Sequence, residues 1–355
     1  LDYLEYEDKI EENFSNLKGI FQDFKIYDNQ HKLKIVLHMI TKISNNIHRE
    51  VGFLAKIQQI LYQFKDEMKK YCSNSELFHI FKSNKQILLF LIEDGIIDID
   101  EFIIKNIFSN KYKEYKYPEY FSPEIKPFMK EEWFKEDWSE YIEKELPEDF
   151  YEKRKIGEND NYICQLIQKD LIEDFITYVK KNSYNINSEI KYSIYETNPF
   201  LLKRENIKLI EYAAFFGSTQ IFNYLRLNGV KLTESLWIYG IHGKSAEIIH
   251  ILEENKVDLE NISYKDCLKE SIKCHHIEIS NYIENSYMSE KIEQSEEYLI
   301  SLIKYFNFNF IQNRMIDKSA FFFLCKYDYY FLADLLLKHI DIDINMMITY
   351  VLFAF

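Results

Sequence analysis

Four side chains suited to zinc fall within ten residues of this chain: Cys267, Cys274, His275 and His276. Thiolate sulfur and imidazole nitrogen are preferred zinc ligands, and four of them would close a tetrahedron. The spacing speaks against a site. Cys267 and Cys274 are seven residues apart, about two helical turns or roughly 10 Å along an axis. Adjacent histidines diverge by about 100° around a helix. No pair has the usual zinc spacing, so the four read as core and helix-cap residues and no metal is expected. Asp341-Ile342-Asp343-Ile344-Asn345 begins like a calcium loop, but Met346 and Leu352 stand where that loop needs Gly and Glu.

Catalytic patterns are equally thin. The chain has no G-x-S-x-G elbow, no H-E-x-x-H helix and no Walker phosphate loop. Gly240-Ile241-His242-Gly243 matches the short loop of a KH domain without its flanking fold. Ser15-Asn16-Leu17-Lys18 and Ser301-Leu302-Ile303-Lys304 match S-x-x-K without its companion motifs. Carboxylate pairs such as Glu253-Glu254 read as solvated helix faces. The chain therefore reads as a non-enzyme, with no catalytic residue and no cofactor.

The elements that carry these residues follow from composition and period. The 355 residues are 47% hydrophobic, enough for a sizeable core. With 8 Gly and 5 Pro, the tight turns of an all-β fold are disfavoured. The net charge of −14 repels phosphate backbones and anionic membranes, and no long Lys/Arg run offsets it. Nucleic acid is not an expected partner. Five scattered cysteines imply no disulfide framework and suit a reducing interior. The acidic start has no signal-peptide form, and no apolar run reaches the length of about 18 residues that spans a bilayer. An intracellular, cytoplasmic protein without membrane insertion is expected. The sequons at Asn13 and Asn261 then read as chance matches.

Helical stripes open the chain. Leu33, Val36, Leu37, Ile40 and Ile43 form one. Phe53, Leu54, Ile57, Ile60, Leu61, Phe64 and Met68 form a second. The run Ile87 to Ile92 ends at Gly95, which reads as a left-handed terminator. Pro118, Pro123, Pro127 and Pro147 then crowd one segment that also holds Trp133 and Trp138. Proline breaks helices, so this segment reads as an irregular connector whose aromatics pack on the body.

From about Asn161 the pattern repeats. Ile210-Glu211-Tyr212-Ala213-Ala214-Phe215-Phe216-Gly217 is followed by an apolar run at Ile221–Leu225 and by Asn228-Gly229-Val230. An ankyrin unit has this order: a helix with a small Ala pair, a Gly that ends it, an outer helix, and a Gly that turns the chain onward. The inner-helix anchors fall at 163, 210, 237, 268, 299 and 321. The longest gap holds an insertion around Ser183 to Arg204. Most units are shorter than the ankyrin period of about 33, and the T-P-L-H tetrapeptide is never intact. Degenerate ankyrin repeats and a generic helical-hairpin solenoid both fit. The Ala-Ala-x-x-Gly and Asn-Gly-Val offsets favour the first.

Several stretches go further. Lys153 to Asp160, Glu196-Thr197-Asn198-Pro199-Phe200-Leu201-Leu202, Ile210 to Gly217, Ser235-Leu236-Trp237 and Cys267 to His276 resemble one family. It is the large set of ankyrin-like "domain of unknown function" proteins of trichomonad protists. The resemblance spans nearly the whole chain. It implies ankyrin-like repeats, an intracellular protein and no assigned activity, and it supplies no catalytic residues.

The expected architecture is all-α: a helical N-terminal region at 1–110, a Pro/aromatic connector at 111–155, and an ankyrin-like solenoid of about six hairpins at 156–355. The apolar end, Met346 to Phe355, is unlike a polar terminal cap, so further repeats are expected beyond it. In an ankyrin unit the residues just before the inner-helix Gly lie near the concave binding surface. Phe215 and Phe216 hold that position, and His242, Lys273 and Tyr327 share its phase. The two phenylalanines read either as contacts for a partner or as core packed under a neighbouring repeat or the insertion. The leading expectation is a protein–protein interaction scaffold with an unidentified protein partner. The alternative is a structural subunit of a large assembly such as a cytoskeletal one.

Overall fold

Residues 10–46, 52–288 and 296–307 are described in a computed structural model of the chain, and every regular element among them is a helix. Among the described residues the one β-type contact is an isolated antiparallel bridge between Glu189 and Lys208. The chain forms two compact units, residues 1–258 and 259–355.

The first unit opens with α1 (Ile10–Asp23), α2 (Gln30–Asn46), α3 (Phe53–Tyr62) and α4 (Lys65–Tyr71). The stripe Leu33, Val36, Leu37, Ile40 and Ile43 is buried along α2. The second stripe is divided between α3 and α4, with Phe64 at the junction and Met68 buried on α4. Next come α5 (Asn74–Phe81), α6 (Lys85–Glu93) and α7 (Glu101–Ile107). Gly95 takes φ +63° after α6, and the Ile96 amide donates to the Leu91 carbonyl at 2.8 Å. This is the bond from the sixth residue back to the first that closes a helix on a left-handed residue.

The proline-rich segment is more regular than its composition predicts. It folds into α8 (Asn110–Glu114), α9 (Tyr117–Tyr120), α10 (Ser122–Ile125) and α11 (Ser139–Ile142), and leads to α12 (Phe150–Ile156). Pro118 and Pro123 stand in the first turns of α9 and α10, where a missing N–H leaves no bond unmade. The prolines start short helices here instead of breaking long ones. Trp138 stacks flat on Phe108 at 4.4 Å. One hydrophobic cluster runs from Phe14 to Ile142, so the aromatics of this segment share the core of the opening helices.

Helical hairpins follow. In the first unit they are α13 (Tyr162–Gln168) with α14 (Ile172–Lys181), α16 (Leu209–Phe216) with α17 (Thr219–Leu227), and α18 (Ser235–His242) with α19 (Ala246–Glu254). Between the first two lies the insertion, with a single turn, α15 (Pro199–Leu202). Inner helix packs on inner helix, α13 on α16 and α16 on α18. Outer helices pack likewise, α14 on α17 and α17 on α19. The second unit holds α20 (Tyr264–Lys273), α21 (Ile277–Tyr287) and α22 (Glu296–Lys304), with α20 packed on both others.

One turn recurs in all of them. The residue seven positions after each anchor has positive φ: Asp170 (49°), Gly217 (63°), Lys244 (50°), His275 (59°) and Phe306 (56°). The next amide donates to the carbonyl five residues back each time: Leu171 to Leu166, Ser218 to Ala213, Ser245 to Gly240, His276 to Ser271 and Asn307 to Leu302. Two side chains then tie hairpin to hairpin at a common register. The Ser218 hydroxyl donates to the Ile167 carbonyl, and the Asn307 amide to that of Ile272 at 2.9 Å. The outer helices of the first unit end alike, at Asn182-Ser183, Asn228-Gly229 and Asn255-Lys256. Each second residue has positive φ. Each Asn side chain donates to the carbonyl four residues back, at 2.7–2.8 Å. These bonds satisfy carbonyls that a helix end would leave without partners.

Candidate protein-binding face

The inner helices α16 and α18 place Phe215, Phe216 and His242 near one another, and the insertion decides how many face solvent. Phe215 is fully buried. Phe200 of α15 lies parallel to it, with ring centroids 5.3 Å apart and planes 11° apart. Phe200 is also 3.6 Å from the His242 ring and edge-on to Tyr239 at 5.2 Å. The Arg204 guanidinium lies over Phe200 at 3.4 Å. Phe215, which the sequence left open between partner contact and core, and His242, expected on the binding surface, are thus core positions covered by the chain's own insertion. A ring with no exposed area offers no face to a partner. Phe216 is half-buried and packs against Tyr212 at 4.5 Å. Lys273, half-buried in the second unit, pairs with Glu270 at 2.7 Å. Tyr327 lies outside the described residues, as do the last anchor at Phe321 and the stretch Asp341–Asn345.

The Gly240–Gly243 pair has a packing explanation. A Cβ on Gly240 would stand 3.3 Å from Ile248 of the outer helix. Gly243 abuts the backbone of α16. In the second unit Cys267 and Cys274 are buried on and just after α20. Burial pushes the Cys267 thiol up to about 12, and holds His275 down to about 4 in its left-handed turn. Both are packed, neutral side chains at pH 7.

A polar joint, not foreseen from the sequence, lies behind the insertion. Lys85, the first residue of α6, is fully buried. Its ammonium donates to the carbonyls of Ile194 (3.3 Å) and Glu196 (2.9 Å) and faces the rings of Tyr117 and Tyr120 at 5.3 and 5.0 Å. Burial pulls its pKa down to about 7, against the opposing pull of Glu196 and Glu119. Arg154 is 3% exposed and donates to Glu124 at 2.8 Å and to the Tyr120 carbonyl at 3.2 Å. The Thr197 hydroxyl donates to the Gly157 carbonyl at 2.7 Å. The Glu196 carboxylate accepts from the amides of Thr197 (3.0 Å) and Asn198 (2.8 Å). The stretches Lys153–Asp160 and Glu196–Leu202 therefore meet in space.

A cleft of about 320 Å³ opens beside this joint, lined in part by Gln86, Gly157, Thr197 and Asn198. Gln86 spends its amide on the carbonyls of Lys155 and Ile156, at 3.1 and 3.2 Å. With these hydrogen bonds made internally, the joint is built to fasten α6, α9, α12 and the insertion together. The signal in the sequence was a single lysine heading the apolar run Ile87–Ile92, but periodicity does not distinguish a buried cation from an exposed one.

The chain matches no family model, no curated protein and no solved structure. No helix among the described residues is long and apolar enough to cross a membrane.

Proposed function

We propose that this chain is a non-catalytic, intracellular protein-binding scaffold of ankyrin type, related to the trichomonad family its motifs resemble. The observation that supports this reading is the common register of the hairpins. Left-handed turns at Asp170, Gly217, Lys244, His275 and Phe306 recur at a fixed offset from the inner-helix anchors. Hairpins stacked in this way within a unit expose a surface built from equivalent positions, and solenoid proteins bind partners on such surfaces. In the first unit Phe216 is the member of the expected set that keeps an exposed part, so it is the contact we assign to that face.

The test is affinity capture from native extract with Phe216→Glu beside the unchanged chain. Capture of one or two stoichiometric partners, lost in the variant while its melting temperature holds, supports the scaffold. Partners retained undiminished by the variant would remove Phe216 from the face. Recovery of a whole filament or organelle assembly, insensitive to Phe216, would favour the structural-subunit reading instead.

A further inference from the structure

The segment 131–149 carries nine acidic side chains and two lysines, in a chain whose whole net charge is −14. All nine are exposed. Only Asp149 forms an ion pair among the described residues, with Lys153 at 2.9 Å. The segment is nonetheless fastened to the body. Trp138 and Ile142 are buried, and Phe134 packs edge-on to Trp138 at 5.5 Å. It is a fixed acidic ledge on an aromatic footing, which loses less entropy on binding than a loose acidic tail would.

Beside the ledge is a cleft of about 370 Å³, whose wall includes Ser122, Pro123, Ile142, Glu143, Glu145 and Leu146. Ser122 is 3% exposed, and its hydroxyl has no hydrogen-bond partner among the described residues. Leu146 is 39% exposed. The cleft thus joins exposed apolar surface at Leu146, a buried hydroxyl without a hydrogen-bond partner in its wall, and two carboxylates outside any ion pair among the described residues. That combination fits a long cationic side chain, whose methylenes lie on apolar surface while its head meets acceptors. Lys126 and Lys144 share the wall and offset the two glutamates, so the attraction comes from the ledge around the cleft. A divalent cation is a poorer fit, because no three of these carboxylates converge to ligand distance. Nucleic acid and anionic lipid are repelled.

We propose that the ledge and its cleft dock an arginine- or lysine-rich segment of a partner protein. This surface is separate from the face around Phe216, and the two are tested by different variants. The full chain is titrated with a labelled peptide of alternating Arg and Leu, and with a counterpart carrying Glu for Arg. The Arg peptide binds and the Glu peptide does not. Glu143→Gln with Glu145→Gln weakens binding by about tenfold, the upper range for two exposed ion pairs. Lys144→Gln strengthens it by about threefold, since it removes a repelling charge. Glu247→Gln with Glu254→Gln, exposed carboxylates on α19, leaves it unchanged. An equal loss from the α19 pair would reduce the effect to bulk charge and overturn the proposal, as would no binding of the Arg peptide.

Discussion

Gly243 lies so close to the carbonyl oxygen of Ala214 that a Cβ at that position would stand 2.2 Å from it. The φ of Gly243 is −70°, a value open to any residue, so the constraint is steric. The obstacle is backbone, which cannot swing aside. Gly243→Ala must therefore push α18 away from α16, at a cost of about 2 kcal/mol by the usual scale of overpacking. Gly229 is a useful contrast. It has φ +87° and nothing within 4 Å of a new Cβ, so Gly229→Ala meets only backbone strain, about 1 kcal/mol. Urea melts of the two variants should rank them in that order.

Lys256 occupies in the third hairpin the place of Gly229 in the second. Both follow an Asn whose side chain caps the carbonyl four residues back. Lys256 is exposed at φ +50°, which L-residues adopt at a cost of about 1–2 kcal/mol. Lys256→Gly removes that strain and loses part of the gain to the greater freedom of unfolded glycine. A net stabilisation of about 0.5 kcal/mol is expected. A lower melting temperature would mean that the lysine stem earns its place by packing.

The stripe on α2 and the turn register were legible because a helical period survives in the order of apolar residues. The anchors at 163, 210, 237, 268 and 299 each lead, seven residues on, to a left-handed residue, although only one of the five is glycine. The outer-helix endings at 182 and 255 were harder to see. Ser183 and Lys256 replace the glycine that marks the ending at 229, and only the asparagines remain as a sign. The prolines misled because their effect depends on position in a helix, and composition does not give position. Two features were invisible to periodicity. Phe200 reaches Phe215 and His242 through tertiary packing, and Lys85 is buried among groups drawn from two distant segments, at 117–120 and 194–196.

Phe200 carries much of the attachment of the insertion, since its ring meets Phe215, Tyr239 and His242 and lies under the Arg204 guanidinium. Phe200→Ala should cost about 3–5 kcal/mol, as for a buried phenylalanine elsewhere. Phe200→Leu keeps much of the volume and should cost about 1.5 kcal/mol or less. Both values come from chemical denaturation. Hydrogen exchange of the amides at 190–204 should rise in Phe200→Ala ahead of those in α2. A uniform rise across both segments would show that the insertion unfolds only with the whole unit.

Lys85 should give the first unit a pH dependence of unusual sign. Unfolded, the amine has its ordinary value of 10.5, and in the folded chain burial lowers it to about 7. Between those values the native state binds fewer protons than the unfolded state. Stability therefore rises as the pH climbs from about 7 to about 10.5, by up to about 1.4 kcal/mol per pH unit. Below about 7 the amine is charged in both states, and its contribution is constant. Lys85→Met removes this titration. It also strips the carbonyls of Ile194 and Glu196 of their donor, a loss of about 1–3 kcal/mol at every pH. Urea melts of both proteins from about pH 6.5 to about pH 9 separate the two effects, because only the proton linkage changes with pH. The stability gap in favour of the native chain should widen as pH rises. A constant gap would mean that the Lys85 amine keeps its proton throughout, held by the two carbonyls, the rings of Tyr117 and Tyr120 and the carboxylates of Glu196 and Glu119.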